Sequence, residues 1–93
     1  MSFTKENAVS EAKKDLARRL GIDVSEVSEA ALSDRDFPDM SLGSAVADEM
    51  SAQMISSGWE ITLSAKGKNY EYRADKYQLR LHNYNGSNYV ITS

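Results

Sequence analysis

Residues 59–72, with the sequence WEITLSAKGKNYEY, carry the clearest strand pattern in the chain. Apolar side chains alternate with polar ones from Trp59 to Leu63, and again from Tyr70 to Tyr72. A period of two puts the apolar side chains on one face of a strand, and a short connection containing glycine joins two strands into a hairpin. The stretch therefore predicts two antiparallel strands with a turn at 65–68.

The same pattern extends in both directions. Residues 77–81 alternate in the same way, and Asn85-Gly86 is a dipeptide preferred in type I′ hairpin turns, so 89–91 is predicted to form a last strand. A weaker alternation over 27–35 predicts an earlier strand. Pro38 is expected to end it, because proline cannot donate a backbone hydrogen bond.

Residues 4–20 predict one amphipathic helix. Apolar residues recur at helical spacing, while Lys, Glu, Asp and Arg occupy the other side; the apolar positions are Val9, Ala12, Leu16 and Leu20. Thr4 suits an N-cap, and Gly21 stands where a left-handed C-cap glycine is expected.

Together these elements predict a single domain over residues 1–93 with an α+β fold. Its N-terminal helix packs on an antiparallel sheet of about four strands, in two layers, and the opposite face of the sheet is expected to meet solvent. Residues 44–54 suit a helix, a loop or a strand. The interpretation favoured is a loop or one helical turn up to Met50, then extended chain.

Composition narrows the classes of function. The chain has 93 residues, a net charge of -3 and no cysteine, so we expect no nucleic-acid partner, disulfide or thiolate chemistry. No apolar run is long enough for a membrane helix, and no signal peptide precedes Phe3. The expected compartment is the cytoplasm, or an extracytoplasmic one if a leader was removed.

Two stretches resemble a family of small, uncharacterised bacterial domains. The first is residues 15–27, and the second is Phe37-Pro38-Asp39-Met40-Ser41-Leu42-Gly43, which resembles a (Trp/Phe)-Pro-Asp-x-x-Leu-Gly motif. The likeness covers roughly residues 9–75. The chain departs from the family at 44–48, where a cysteine and a proline-rich segment often follow. None of these motifs is a catalytic signature.

The order of elements also resembles that of PepSY-like domains, with Tyr70, Tyr72 and Asp75 in the last matching strand and turn. This resemblance implies a regulatory or inhibitory domain that binds proteins, with a peptidase as one expected partner class. The oligomeric state is left open between monomer and homodimer.

Candidate catalytic residues are few. His82 is the only histidine, and its neighbours in sequence offer no acid–base partner. The five glycines are isolated from one another, so no phosphate-binding loop is predicted. We therefore expect neither an enzyme nor a cofactor.

The connection over 36–43 is the favoured binding segment, because it carries apolar groups outside any periodic element. The alternative expectation is that Phe37 and Leu42 fold back onto the core. Tyrosines over 70–89 suit either an aromatic binding face or cross-strand pairs. The candidate partner-binding residues are Asp36, Phe37, Asp39, Met40, Leu42, Trp59 and Tyr72.

Two alternative functions remain. Asp34, Asp36 and Asp39 supply the hard oxygen ligands that calcium prefers, which makes a small-ligand or calcium-binding domain one alternative. The competing interpretation of these three residues is a solvated turn in which aspartate caps backbone amides. A structural homodimer, formed at a free strand edge, is the other alternative function.

Overall fold

A computed structural model describes residues 3–92. One helix, α1, and a 3-10 turn precede five strands, and the bounds are α1 Lys5–Leu20, the 3-10 turn Val24–Glu26, β1 Ser28–Phe37, β2 Ser56–Ala65, β3 Lys68–Ala74, β4 Leu79–Tyr84 and β5 Ser87–Thr92. The strands form one antiparallel sheet in chain order. The predicted α+β class and its helix-on-sheet layers are confirmed, with five strands instead of about four.

Both ends of α1 are capped as the sequence predicts. The Thr4 hydroxyl accepts a hydrogen bond from the Asn7 amide at 3.2 Å, and Gly21 adopts a left-handed φ of 66°. The apolar face of α1 packs on one face of the sheet, where the core consists mainly of Val9, Ala12, Leu16, Ile61, Leu63, Tyr72, Leu79 and Leu81. Burial of this apolar surface is the main force that holds helix and sheet together.

A polar contact inside this core fixes the helix against the sheet. The hydroxyl of Tyr72 donates to the buried carboxylate of Asp15 at 2.7 Å, and Arg19 Nε donates to the same oxygen at 2.7 Å. Burial, and then the neighbouring carboxylate, raise the pKa of Tyr72 far above its usual range. Tyr72 is therefore a structural residue that stays protonated.

Three tyrosines pair across neighbouring strands. The ring centroids of Tyr70 and Tyr84 lie 5.9 Å apart, and those of Tyr84 and Tyr89 lie 6.1 Å apart. The guanidinium of Arg19 covers the Tyr89 ring at 4.7 Å. These contacts fit the cross-strand interpretation of the tyrosines. Tyr77 differs from them, because its side chain is largely exposed.

The second face of the sheet is covered by chain, whereas the sequence predicts that it meets solvent. The segment 38–49 lies across this face and is bound to it through backbone carbonyls. Arg73 Nη1 donates to the Leu42 carbonyl at 2.9 Å, and Arg80 Nη1 donates to that of Ser44 at 3.1 Å. These arginines alternate with the core residues of β3 and β4, so they point away from α1.

Residues 38–55 form one long connection without helix or strand. Of the three structures open for 44–54, a loop is the observed one. No helix within residues 3–92 combines the length and hydropathy needed to cross a bilayer.

Candidate functional site

The motif at 37–43 is a folded plug on the second face of the sheet. Phe37 and Leu42 are fully buried, which agrees with the alternative expectation that these two residues fold back and do not face a partner. Asp39 Oδ1 accepts hydrogen bonds from the Ser41 amide at 2.9 Å, the Ser41 hydroxyl at 2.6 Å and the Gly43 amide at 3.1 Å. The carboxylate therefore organises the turn, as the capping interpretation of this aspartate predicts.

Gly43 closes the motif for two reasons. Its φ of 66° is left-handed, and a β-carbon there would lie 2.7 Å from Arg73 Nη1. The guanidinium of Arg73 needs that space, because it contacts the Leu42 carbonyl and lies 5.6 Å from the centre of the Phe37 ring. The Leu-Gly pair is thus explained by how closely the loop approaches Arg73.

A second buried arginine anchors the end of the segment. The side chain of Arg80 is 4% exposed and donates to both oxygens of Glu49, at 2.6 Å and 2.5 Å. The Glu49 carboxylate also accepts from the Val46 amide at 3.1 Å. The hydrogen bonds from Arg80 lower the pKa of Glu49, so the carboxylate stays ionised beside the guanidinium.

His82 gains a partner that the sequence does not reveal. Its Nδ1 lies 2.8 Å from Ser44 Oγ, although the two residues are 38 positions apart. Glu71 lies opposite His82 in the sheet, but its carboxylate accepts from Arg73 Nε at 2.5 Å. Ser44 is fully buried, so a substrate has no access to its hydroxyl. The contact suits a loop anchor better than a nucleophile and its base.

Acidification is expected to loosen the 38–49 segment. Burial, and next the charge of Arg73, lower the pKa of His82, while hydrogen bonds lower the pKa values of Asp39 and Glu49. All three groups therefore bind protons more readily in the unfolded chain, and stability rises with pH. Stability falls first as the pH drops below about 6.5, through His82, and again below about 4.5, through the two carboxylates.

Urea unfolding between pH 7 and about pH 3 measures this dependence. The variant His82→Gln should flatten the upper part of the profile and leave the lower part in place. A wild-type stability that is constant or increases on acidification would contradict the prediction.

The structure separates the seven predicted binding residues into two groups. Phe37, Leu42 and Tyr72 are fully buried, and Trp59 is half-buried against the core. Asp36 and Met40 are exposed, and Asp39 is half-buried with one carboxylate oxygen committed to the turn. Only Asp36 and Met40, with part of Trp59, are placed to meet a partner.

The three aspartates of the calcium alternative are not brought together. Asp34 and Asp36 lie on the α1 side of the sheet, where Asp34 pairs with Lys5 at 2.9 Å and Asp36 accepts from the Ser57 hydroxyl at 2.8 Å. Asp39 lies in the segment on the opposite face. Among residues 3–92 no cluster of three His, Cys, Asp or Glu side chains could hold a metal ion.

Five exposed apolar side chains lie on three pieces of chain that hydrogen bonds join. The Met40 amide donates to the Ala52 carbonyl at 3.0 Å, and Gln78 Nε2 donates to the Met40 carbonyl at 2.6 Å. These bonds join the plug to the segment 50–55 and to the turn 75–78. The Met40–Tyr77 surface is defined by five side chains with these exposed fractions: Met40 36%, Met50 98%, Met54 63%, Ile55 74% and Tyr77 67%.

Of these five residues, the sequence placed only Met40 among the candidate binding residues, while Tyr77 was one of the tyrosines that suit either a binding face or cross-strand pairs. One available signal was charge, because no lysine or arginine occurs between Arg35 and Lys66. Exposure of the individual side chains, however, depends on contacts between distant parts of the chain.

No curated protein and no solved structure matches the chain. A family model described as a domain of unknown function, DUF8738, matches residues 9–82. The matched region runs from α1 into β4, so it includes the plug, both arginine anchors and all of the Met40–Tyr77 surface. The expected membership of a small, uncharacterised domain family is confirmed: the chain belongs to the DUF8738 family.

Proposed function

We propose that this domain is a non-enzymatic protein-interaction module that binds its partner through the Met40–Tyr77 surface. The observation that carries the proposal is the exposure of five large apolar side chains on adjoining pieces of chain. Contiguous apolar patches on a small domain mark interaction sites, whereas single exposed apolar residues are ordinary.

The residue types suit this role. Methionine side chains are flexible and polarisable, so they adapt to a partner's shape, and three of the five residues are methionine. Tyrosine adds a rigid contact with a polar tip, a property common in interface hot spots. Burying such side chains contributes about 25 cal/mol for each Å² of apolar surface removed from water, from which the entropic cost of association is subtracted.

The surface is held by buried polar anchors. Tyr77 lies two residues after Asp75, whose carboxylate accepts from the Tyr77 amide at 2.8 Å and from the Ser56 hydroxyl at 2.8 Å. Met40 is held by Gln78, and Met50 directly follows Glu49, which Arg80 binds. A surface set on anchored backbone loses less conformational entropy when a partner binds.

The class of partner rests on resemblance alone. Tyr72 and Asp75, which carry part of the PepSY-like likeness, are buried and serve the fold. These residues therefore do not indicate where a partner binds. A peptidase is proposed as the partner from the PepSY-like order of elements, and the binding surface is proposed from the exposed residues.

Charge placed on the surface is expected to abolish binding. The double variant Met54→Glu, Ile55→Glu alters two exposed side chains, and Val24→Glu is the matched control because Val24 is 45% exposed on the 3-10 turn, outside the surface. A partner captured from the native cells should bind wild type and Val24→Glu alike, and bind the double variant at least tenfold more weakly. An isolated partner that binds all three proteins equally would overturn the proposal, and so would the absence of any protein that distinguishes them.

A further inference from the structure

The edge strand β1 offers a second binding surface. It is ten residues long and lies at one end of the sheet order, so only its β2 side has a neighbouring strand. Residues 28–36 are exposed except for Leu32, which is half-buried. The unpaired backbone groups of such a strand are a template for an added strand.

The pairing with β2 shows which way the side chains of β1 face. Leu32, Asp34 and Asp36 lie opposite Ile61, Trp59 and Ser57, so they stand on the α1 side. After a bulge next to Glu29, the register from Ala31 to Phe37 is continuous. An added strand would place every second side chain on this same side.

Two clefts accompany β1 on the α1 side. The first has a volume of about 320 Å³ and is lined by the apolar side chains of Val9 and Leu32 together with charged residues of α1 and β1. The second has a volume of about 390 Å³ and lies beside Trp59, with Asp34 and Asp36 in its lining. Leu32 and Asp36 are separated by about 13 Å, the length of four strand residues. Two side chains four residues apart in an added strand would therefore enter both clefts.

A second copy of the chain is a poor occupant. Two copies of β1 that pair antiparallel must carry their α1 sides on the same face of the joined sheet. Residues that lie opposite each other then face the same side, so the two-fold axis passes through one residue, which pairs with itself. An axis at Asp34 sets that residue against itself, and an axis at Arg35 sets Arg35 against itself and Asp34 against Asp36. An axis at Leu32 or Ser33 brings the bulge next to Glu29 into the pairing at both ends.

The charges on β1 favour a basic partner. Asp34 is paired with Lys5, and Arg35 is paired with Glu60 on the other side of the sheet. Glu29 and Asp36 form no ion pair within residues 3–92. Basic residues line both clefts as well, Lys5 and Lys13 in the first and Arg35 and Lys76 in the second. Lys5 and Arg35 are already paired with carboxylates, whereas Glu29 and Asp36 belong to the strand itself and have no such pair in the described part of the chain.

We propose that β1 binds an extended peptide segment by antiparallel strand addition, with an aliphatic side chain opposite Leu32 and a basic side chain opposite Asp36. The apolar cleft accepts the aliphatic side chain. The second cleft lets a lysine or arginine side chain lie along Trp59 and reach the carboxylate of Asp36. This surface is distinct from the Met40–Tyr77 surface, and either proposal can fail without the other.

A capped peptide Lys-Thr-Thr-Thr-Leu-Thr-Lys is the probe, and Lys-Thr-Thr-Leu-Thr-Thr-Lys is its control of equal composition. Moving leucine by one residue turns it to the other face of the strand. Titration monitored by backbone amide NMR should shift the amides of 31–36 at millimolar peptide. The control should bind about tenfold more weakly, because one aliphatic side chain is no longer buried.

Two matched variants test the charge. Asp36→Asn should weaken binding of the probe by about threefold, as expected for the loss of an exposed ion pair. Asp48→Asn, which lies on the connection over the other face, should leave the affinity for the probe unchanged. No shifts at a few millimolar probe, equal binding of both peptides, or shifts confined to 50–55 would overturn the proposal. Shifts of the β1 amides with protein concentration alone would overturn it in favour of a second copy.

Discussion

Replacing Gly58 with alanine is expected to lower the free energy of unfolding by about 3 kcal/mol. A β-carbon at Gly58 would overlap the carbonyl oxygen of Ala74 and lie 3.1 Å from the α-carbon of Asp75. Both are backbone atoms, so no side-chain rotation can relieve the overlap. The chain must shift, and the pairing of β2 with β3 must loosen where Trp59 lies opposite Ala74.

Gly58→Ala is also expected to disturb the Met40–Tyr77 surface. β3 ends at Ala74, and the turn that follows is held by Asp75, which accepts from Ser56, Tyr77 and Gln78. A shift of this turn moves Tyr77. Urea unfolding measures the loss of stability, and Ser57→Ala is the control, because that residue is exposed and should change stability by no more than about 0.5 kcal/mol. Equal midpoints for the two variants would show that the strands accommodate the methyl group.

Periodicity and turn chemistry predicted the elements whose structure is decided locally. The helix predicted over 4–20 is observed at Lys5–Leu20, because the Thr4 cap, the apolar stripe and Gly21 all act within a few residues of one another. Asn85-Gly86 connects β4 and β5 as the hairpin signal predicts, with φ values of 52° and 85°. The strand predicted over 27–35 is observed at Ser28–Phe37.

The connection 38–55 could not be predicted from local pattern, because its contacts come from distant strands. Met40, Leu42 and Ser44 are held through their carbonyls by side chains more than 30 positions away. A backbone carbonyl carries no sequence signal, so Arg73 and Arg80 read as ordinary polar residues of half-exposed strands. Their burial under the connection explains why the second face of the sheet does not meet solvent.

The same limitation applies to the candidate site. Residue type pointed to the loop 36–43, yet its aromatic and leucine residues fill the second face, while the methionines and isoleucine of the next segment are exposed. Apolar character alone does not distinguish a plug from a binding surface. The difference depends on Asp39, whose carboxylate bends the loop so that Leu42 points inward.

The variant Glu49→Gln is expected to destabilise the 38–49 segment by about 3 kcal/mol. Arg80 is buried, and among residues 3–92 a neutral amide would leave its guanidinium with only the carboxylate of Asp39, to which it forms no hydrogen bond, as a nearby opposite charge. The penalty of a buried charge that has lost its hydrogen-bonded carboxylate exceeds the value of the hydrogen bonds that glutamine retains. The cheapest response is for the segment to detach, which exposes Arg80 to water.

Hydrogen exchange measures that detachment. The amides of Met40, Leu42 and Ser44 should exchange about a hundredfold faster in Glu49→Gln than in wild type. Asp48→Asn is the matched control, because it removes the same charge from an exposed neighbour and asparagine tolerates the left-handed φ of 65° at that position. Since Met40 and Met50 flank the anchored segment, Glu49→Gln should also weaken a partner bound at the Met40–Tyr77 surface. Equal exchange in the two variants would mean that the plug at 37–43 holds the segment without Arg80, and that partner binding is independent of the ion pair.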